Sequence, residues 1–348
     1  MSNKDATVRT RILIISDTHS TPLLASNDPP PDHAFRAPLP EADVLIHCGD
    51  LTQTGGLDEY DVALDTLAQI DAPLKLVIAG NHDLTLDGEW MGEGVGRPQR
   101  AYATVEEARR EHEGAVEMWK GNGRARREGV VFFEEGVHGF VLRNGARLTV
   151  YASPYTPSFQ SWAFDYEHNE DRFNPPSPSI SPSPSPSYTN ISTAPIPSFG
   201  ASDQVDVIIT HGPPRNRLDL TTTGLHVGCP HLLRALMRVR PLLHCFGHIH
   251  EGWGAERVAW SSSASEVAQR PDSEAGFLDQ GWREATSGVR AVPDGEAGKR
   301  WVEVDVSTED GMGLRRGKES LLVNAAIMDV EYVPVNKPFL VTVDLMRA

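Results

Sequence analysis

The chain has 348 residues, a formal net charge of −16 and 39% hydrophobic residues. That length can bury a substantial core in one large domain or two small ones, and the acidic balance argues against a surface that grips nucleic-acid backbone non-specifically. No apolar run approaches the ~20 residues of a membrane span. Residues 1–10 are polar and lack the apolar core of a signal peptide. Cys48, Cys229 and Cys245 have no CxxC spacing, so a disulfide framework or zinc ribbon is not expected and a reducing, cytoplasmic setting away from membranes is.

Arg11-Ile12-Leu13-Ile14-Ile15 reads as a strand covered on both faces, and it empties into Asp17 and His19. A Pro-rich surface loop from Thr21 to Pro40 separates it from a second strand over Asp43–Cys48, which turns at Gly49 and delivers Asp50. Leu57 to Ile70 has helical spacing, with Leu57, Tyr60, Leu64, Leu67 and Ile70 on one face. Leu74–Ile78 is the third strand and runs into Gly80-Asn81-His82-Asp83. Strand, helix, strand in that order implies parallel pairing through a right-handed crossover.

Thr104 to Lys120 reads as an exposed helix with a capping box at Thr104 and Glu107. Three short strands follow, over Gly129–Phe133, His138–Leu142 and Arg147–Tyr151, with a hairpin turn at Asn144-Gly145. The aromatic loop with Phe159, Trp162, Phe164 and Tyr166 either packs on the core or lines a pocket, and core packing is favoured. Residues 174–198 form a Ser/Pro-rich tract whose composition predicts a disordered insertion. Folded sequence resumes with the strand Asp206–Ile209 before Thr210-His211, the helix Pro230–Arg238 and the strand Leu242–Phe246 before Gly247-His248-Ile249-His250. Residues 255–318 read as a second, polar insertion, partly ordered at best, and strands over Leu321–Ala325 and Phe339–Leu345 close the chain.

Five apolar runs thus end alike, each handing Asp, Asn or His to a strand's carboxyl end, where open α/β sheets put their chemistry. Each string alone is ordinary turn chemistry; five in order are not. Oxygen and imidazole donors without thiolate suit Mn, Fe, Zn or Mg. Asp50, with two carboxylate oxygens, can bridge ions roughly 3.5–4 Å apart, and such a pair activates a shared hydroxide for in-line hydrolysis of a phosphate ester. His47, His244, Cys48 and Cys245 lie inside strands and are expected to be packed.

The series D-x-H, G-D, G-N-H-D, T-H and G-H-x-H, from Ile12 to Glu251, resembles the calcineurin-like metallophosphoesterase superfamily. Within it, YASPYTPSFQSWAF (151–164), THGPP (210–214), GHIHEGWG (247–254) and Asn324-Ala325-Ala326 are most similar to the metallophosphoesterase-domain (adult brain protein 239-like) phosphodiesterases. The resemblance implies an α/β fold in a four-layer α/β/β/α sandwich with mixed sheets, one domain over residues 8–348, and two divalent metal ions, manganese favoured. One ion would take Asp17, His19, Asp50 and His250, the other Asp50, Asn81, His211 and His248. His82 would meet the leaving group as general acid or steady the transition-state charge. The substrate would be a small phosphate ester, with a diester such as a cyclic nucleotide favoured over a monoester. A nucleotide-binding regulator of negligible turnover is the alternative from another class. Protein Ser/Thr phosphatases of this superfamily carry Asp-Arg-Gly soon after the Gly-Asp turn, whereas Leu51-Thr52-Gln53-Thr54-Gly55 stands here, which argues against that substrate class. Arg215 and Arg217 could hold a phosphate, but exposed loop arginines are the favoured reading.

Overall fold

Alternation of side chains decides the layering. In the computed structural model, which describes residues 6–30, 32–92, 104–176, 189–202, 204–268, 282–292, 298–308 and 313–348, Thr7–Ile15 forms β1. Its Ile12 and Ile14 enter one buried cluster while Leu13 and Ile15 enter another. The first cluster fills the space between two sheets; the second lies between the first sheet and the helices outside it. A strand apolar on both faces is the pattern such a covered sheet demands.

The first sheet also contains β2 (Val44–His47), β3 (Leu74–Val77) and β4 (Val130–Phe132). All pair in parallel outward from β1. The helix α1 (Leu57–Ala68) makes the crossover from β2 to β3, burying Tyr60, Leu64 and Leu67. The helix α2 (Val105–Trp119) covers the same layer and begins where expected: the Thr104 hydroxyl accepts the Glu107 N–H at 3.1 Å.

The hairpin strands β5 (Gly136–Val141) and β6 (Arg147–Ser153) open the second sheet. β7 (Val207–Thr210) and β8 (Leu243–Phe246) continue it in parallel. Val207 and Ile209 face the inter-sheet core, while Ile208 packs with Leu232, Leu233 and Leu236 of α3 (Pro230–Val239). The result is the four-layer α/β/β/α sandwich.

The C-terminal third carries more sheet than its polar composition suggests. Within 255–318, β9 (Gly254–Trp260) and β10 (Thr286–Ala291) extend the second sheet, and β11 (Val302–Asp305) joins the first. In β11, Val302 and Val304 are buried while Glu303 is exposed, so a half-buried edge strand with one apolar face looks polar in composition. β12 (Glu319–Asn324) lies between β8 and β9, and β13 (Phe339–Met346) lies antiparallel beside β1 rather than at an edge. The sheet orders are β11-β13-β1-β2-β3-β4 and β10-β9-β12-β8-β7-β6-β5. Residues 177–188 of the expected Ser/Pro insertion lie outside the described residues, but its flanks are packed, with Phe173 and Ile196 buried beside α3. Among the described residues no helix is long and apolar enough to cross a membrane.

The carboxyl ends of the two sheets are laced together. Ser16 bridges Ala326, the Ile327 N–H donates to the Ser16 carbonyl at 3.1 Å, and the His248 N–H donates to Asp17 Oδ1 at 3.0 Å. Every turn singled out by the sequence therefore opens onto one rim.

Candidate metal centre

The loops at this rim leave ordinary backbone space. Asp17 (φ 55°), His19 (φ 43°), Asp50 (φ 53°) and His248 (φ 68°) adopt left-handed backbone, a conformation costing roughly 1 kcal/mol or more for residues with a Cβ. Hydrogen bonds between loops hold them there: Asp17 N–H to the Gly49 carbonyl and His19 N–H to the Asp50 carbonyl, each 3.0 Å. Two glycines allow the close approach. A Cβ on Gly80 would stand 2.3 Å from the Asp50 backbone nitrogen and Oδ1, and one on Gly247 would stand 2.0 Å from Asp17 Oδ2.

Asp83 ties the β2 and β3 loops together. Its buried carboxylate accepts the N–H groups of Gly80 (2.7 Å), Leu51 (3.2 Å) and Thr52 (3.1 Å) and the Thr52 hydroxyl (2.8 Å). Burial first, and then the neighbouring Asp50 charge, push its pKa up to about 7.

All eight side chains named from the sequence meet here. Asp17, His19 and His250 form one triad and Asp50, His211 and His248 a second, the donor atoms of each lying within 4.8 Å of one another. Asp50 reaches both: Oδ1 is 3.3 Å from His211 Nε2 and Oδ2 is 3.6 Å from His19 Nε2. Asp17 Oδ1 is 3.5 Å from His250 Nε2. Two bonds of ~2.1 Å meeting at roughly 100–120° set their donor atoms about 3.2–3.6 Å apart, so these spacings suit a cation between them better than a short direct hydrogen bond.

Ring orientation supports the same fit. Nδ1–H of His19, His211 and His250 donates to the carbonyls of Thr52 (2.9 Å), Cys48 (2.9 Å) and Asp329 (2.8 Å), aiming each Nε2 inward. His19 Nε2 is buried with no hydrogen-bond partner. Asn81 Oδ1 faces His211 Nε2 at 2.9 Å; two acceptors meet there unless the ring gains a proton or a cation joins them.

Burial and the neighbouring charges set the protonation of these side chains. Burial opposes ionisation of Asp17, yet the hydrogen bond and charge of His250 bring it down to about 2. Burial likewise opposes a charged His211, but Asp50 lifts that ring to about 9. His19 and His248, dominated by burial, fall to about 4 and about 3 and stay neutral, as metal ligation requires.

His82 borders the centre. Its N–H donates to Asp50 Oδ1 at 2.9 Å, its Nδ1–H donates to the Gln53 carbonyl at 2.7 Å, and its ring packs 4.8 Å from His19. Trp162 stacks on the His82 ring at 4.1 Å. The aromatic loop therefore divides: Phe164 and Tyr166 are core, while Trp162 lines the site. Arg217 pairs with Glu256 at 3.2 Å and lies over Trp282, supporting β9 instead of the centre. His47 and His244 are buried and bonded to the hydroxyls of Thr18 and Thr210 at 2.9 and 2.8 Å, and Cys48 and Cys245 are buried in the inter-sheet core. The sequence reading missed Asp83 as a loop tie, Asp329 as the orienter of His250, and Tyr332, whose ring lies 4.8 Å from His19 and 5.4 Å from His250. Asp83 was visible in its motif string; nothing local marks Tyr332.

Comparison with known proteins agrees with this geometry. The sequence profile described as calcineurin-like phosphoesterase matches residues 10–252. Human metallophosphoesterase domain-containing protein 1 is 32% identical over 250 residues, covering 70% of this chain and 62% of that protein. A probable rhamnogalacturonate lyase C of Emericella nidulans is 31% identical over 72% of this chain but only 18% of its own length. UPF0046 protein T07D4.2 of Caenorhabditis elegans is 28% identical over 62% of this chain and 48% of its own length. The chain thus spans less than two thirds of each of these relatives.

Proposed function

From the premise that this chain belongs to the calcineurin-like phosphoesterase family, and so to the metal-dependent phosphate-ester hydrolases, we propose that it is a phosphodiesterase acting on small diesters such as cyclic nucleotides. The observation that carries the reading is the pair of Asp/His triads with Asp50 reaching both. We assign Asp17, His19, Asp50 and His250 to one divalent ion and Asp50, Asn81, His211 and His248 to the other, with manganese the favoured metal. Bound there, the ions supply Lewis acidity, acidifying water and neutralising charge on the phosphoryl group.

The chain's own side chains do the rest. The loop carbonyls fix the ligand rings before any substrate arrives, so little reorganisation remains at the moment of reaction. His82, its Nδ1–H held by Gln53, presents Nε2 to the open side and is assigned to the leaving-group oxygen. Among the described residues no Lys or Arg lies within hydrogen-bonding distance of the eight side chains. A dianionic monoester is ordinarily gripped by such cations, and a monoanionic diester needs fewer, which favours the diester. A cytoplasmic setting belongs to the same proposal, since Cys48, Cys229 and Cys245 are free thiols.

The test is hydrolysis of bis-p-nitrophenyl phosphate against p-nitrophenyl phosphate, with and without Mn. Metal-dependent turnover that is faster on the diester is expected. Faster turnover of the monoester would replace this reading with a phosphomonoesterase. Nucleotide binding without hydrolysis of either ester would replace it with a regulator.

A further inference from the structure

Tyr332 stands at the centre in a conformation that packing does not explain. Its backbone is left-handed, with φ 60°, and the residue is 42% exposed. A bulky residue held there costs roughly 1–3 kcal/mol, and an exposed ring recovers little of that by burial.

The loop that holds it is over-determined. The Tyr332 N–H donates to the Asp329 carbonyl at 3.1 Å, and the Asp329 carboxylate accepts the N–H groups of Glu331 and Val333, each at 2.9 Å. Asn336 secures the base of the loop by donating to the carbonyls of Ala326 and Met328 at 3.1 Å. The same Asp329 carbonyl orients His250. One short loop thus sets a candidate ligand and presents a phenol over the ligands.

The phenol oxygen is 3.5 Å from His82 Nε2. That is long for a hydrogen bond between them, but an oxygen atom about 2.8 Å from each closes a triangle on that base. Trp162 covers one face of His82, and the Tyr332 ring packs edge-on against His19, so the two groups converge on the open side of the ligand cluster. We propose that Tyr332 is a second catalytic donor, its hydroxyl and His82 Nε2 together seating the leaving-group oxygen of the phosphate ester. A water oxygen forms the new bond to phosphorus as the ester P–O bond breaks; His82 gives its Nε2 proton to the departing oxygen, and the Tyr332 hydroxyl hydrogen-bonds that oxygen while keeping its own proton. This assignment rests on the phosphoesterase reading of the same site.

Two measurements separate the two claims. In the first, Tyr332→Phe is compared with the parent protein on p-nitrophenyl and alkyl diesters in Mn. A leaving group that already carries its charge well needs the donor least, so kcat on the alkyl diester should fall ten- to hundredfold and on the nitrophenyl diester about threefold or less, with metal content unchanged. An equal loss on both substrates, or none on either, overturns the leaving-group seat while leaving the function intact. In the second, inorganic phosphate is titrated into Mn-loaded protein by calorimetry, a readout independent of turnover. Tyr332→Phe should weaken binding about five- to tenfold, and unchanged affinity overturns the donor role. If the parent hydrolyses no ester but the variant binds phosphate more weakly, the function falls and the oxygen seat stands.

Discussion

Asp83 offers the sharpest perturbation, because one atom can be exchanged without changing shape. Its Oδ2 accepts the Leu51 and Gly80 N–H groups, and its Oδ1 accepts the Thr52 N–H and hydroxyl. In Asp83→Asn the new NH2 group must face one of these pairs. Facing Leu51 and Gly80, it opposes two backbone donors. Facing Thr52, it can donate to the rotated hydroxyl but still opposes one N–H. The second orientation is cheaper. It loses one charge-assisted hydrogen bond, about 1.5–3 kcal/mol, and leaves one buried donor unpaired, about 1–3 kcal/mol, so a loss of about 2.5–6 kcal/mol is expected. The assay is urea unfolding of metal-free Asp83→Asn beside the parent protein, followed by Mn titration. Because the lost bonds join the loop bearing Asp50 to the loop bearing Asn81, Mn affinity should fall about 10- to 100-fold, as when an outer-shell partner is removed. A stability change below about 1 kcal/mol with unaltered Mn affinity would refute the reasoning that Asp83 fastens the two loops.

His82→Ala should lower kcat by roughly 10²–10⁴ while elemental analysis finds the metal content nearly unchanged; metal lost in step with activity would make His82 a ligand instead. Gly247→Ala places a methyl 2.0 Å from Asp17 Oδ2, so the carboxylate must move, and a loss of about 100-fold in kcat is expected for a displacement near 1 Å; normal turnover would mean that Asp17 is not fixed where the account needs it. His47 and His244, buried first and foremost, have pKa values lowered to about 3. The unfolded chain therefore takes up their protons first as pH drops below ~6.5, and the stability present above that pH is lost progressively toward pH 3. Each ring contributes about 1.4 kcal/mol per pH unit across most of that window. Urea midpoints of metal-free protein that stay flat from pH 6 to 5 would contradict this.

How much of this was legible beforehand follows from what a local pattern can carry. The convergence of the five turns was readable because each follows a short apolar strand, and a strand's end fixes where its next residues emerge. The buried face of α1 was readable from helical spacing, and the start of α2 from a cap whose hydrogen bond spans three residues. The hairpin behaved likewise: Asn144-Gly145 joins strands that pair from Gly136↔Ala152 to Val141↔Arg147. What could not be read depends on residues far apart in the chain. The placement of β13 beside β1 is a pairing between Thr7 and Met346, with no local trace. β9, an inner strand only partly buried along its length, and β11, an edge strand with one buried face, were hidden because such strands look polar in composition. The left-handed backbone at His19 and His248 defies residue preference, and bonds from other loops impose it. Tyr332 reaches His82 across 250 positions, and only the folded chain brings them together.

The central claim is that seven of the gathered side chains, all but His82, hold two divalent ions shared at Asp50. Metal-free protein equilibrated with Mn, freed of excess and assayed for metal per chain, tests it most directly alongside Asp50→Ala. The account predicts two ions in the parent protein and at most one in the variant; a parent that retains none, or a variant that still retains two, would contradict it.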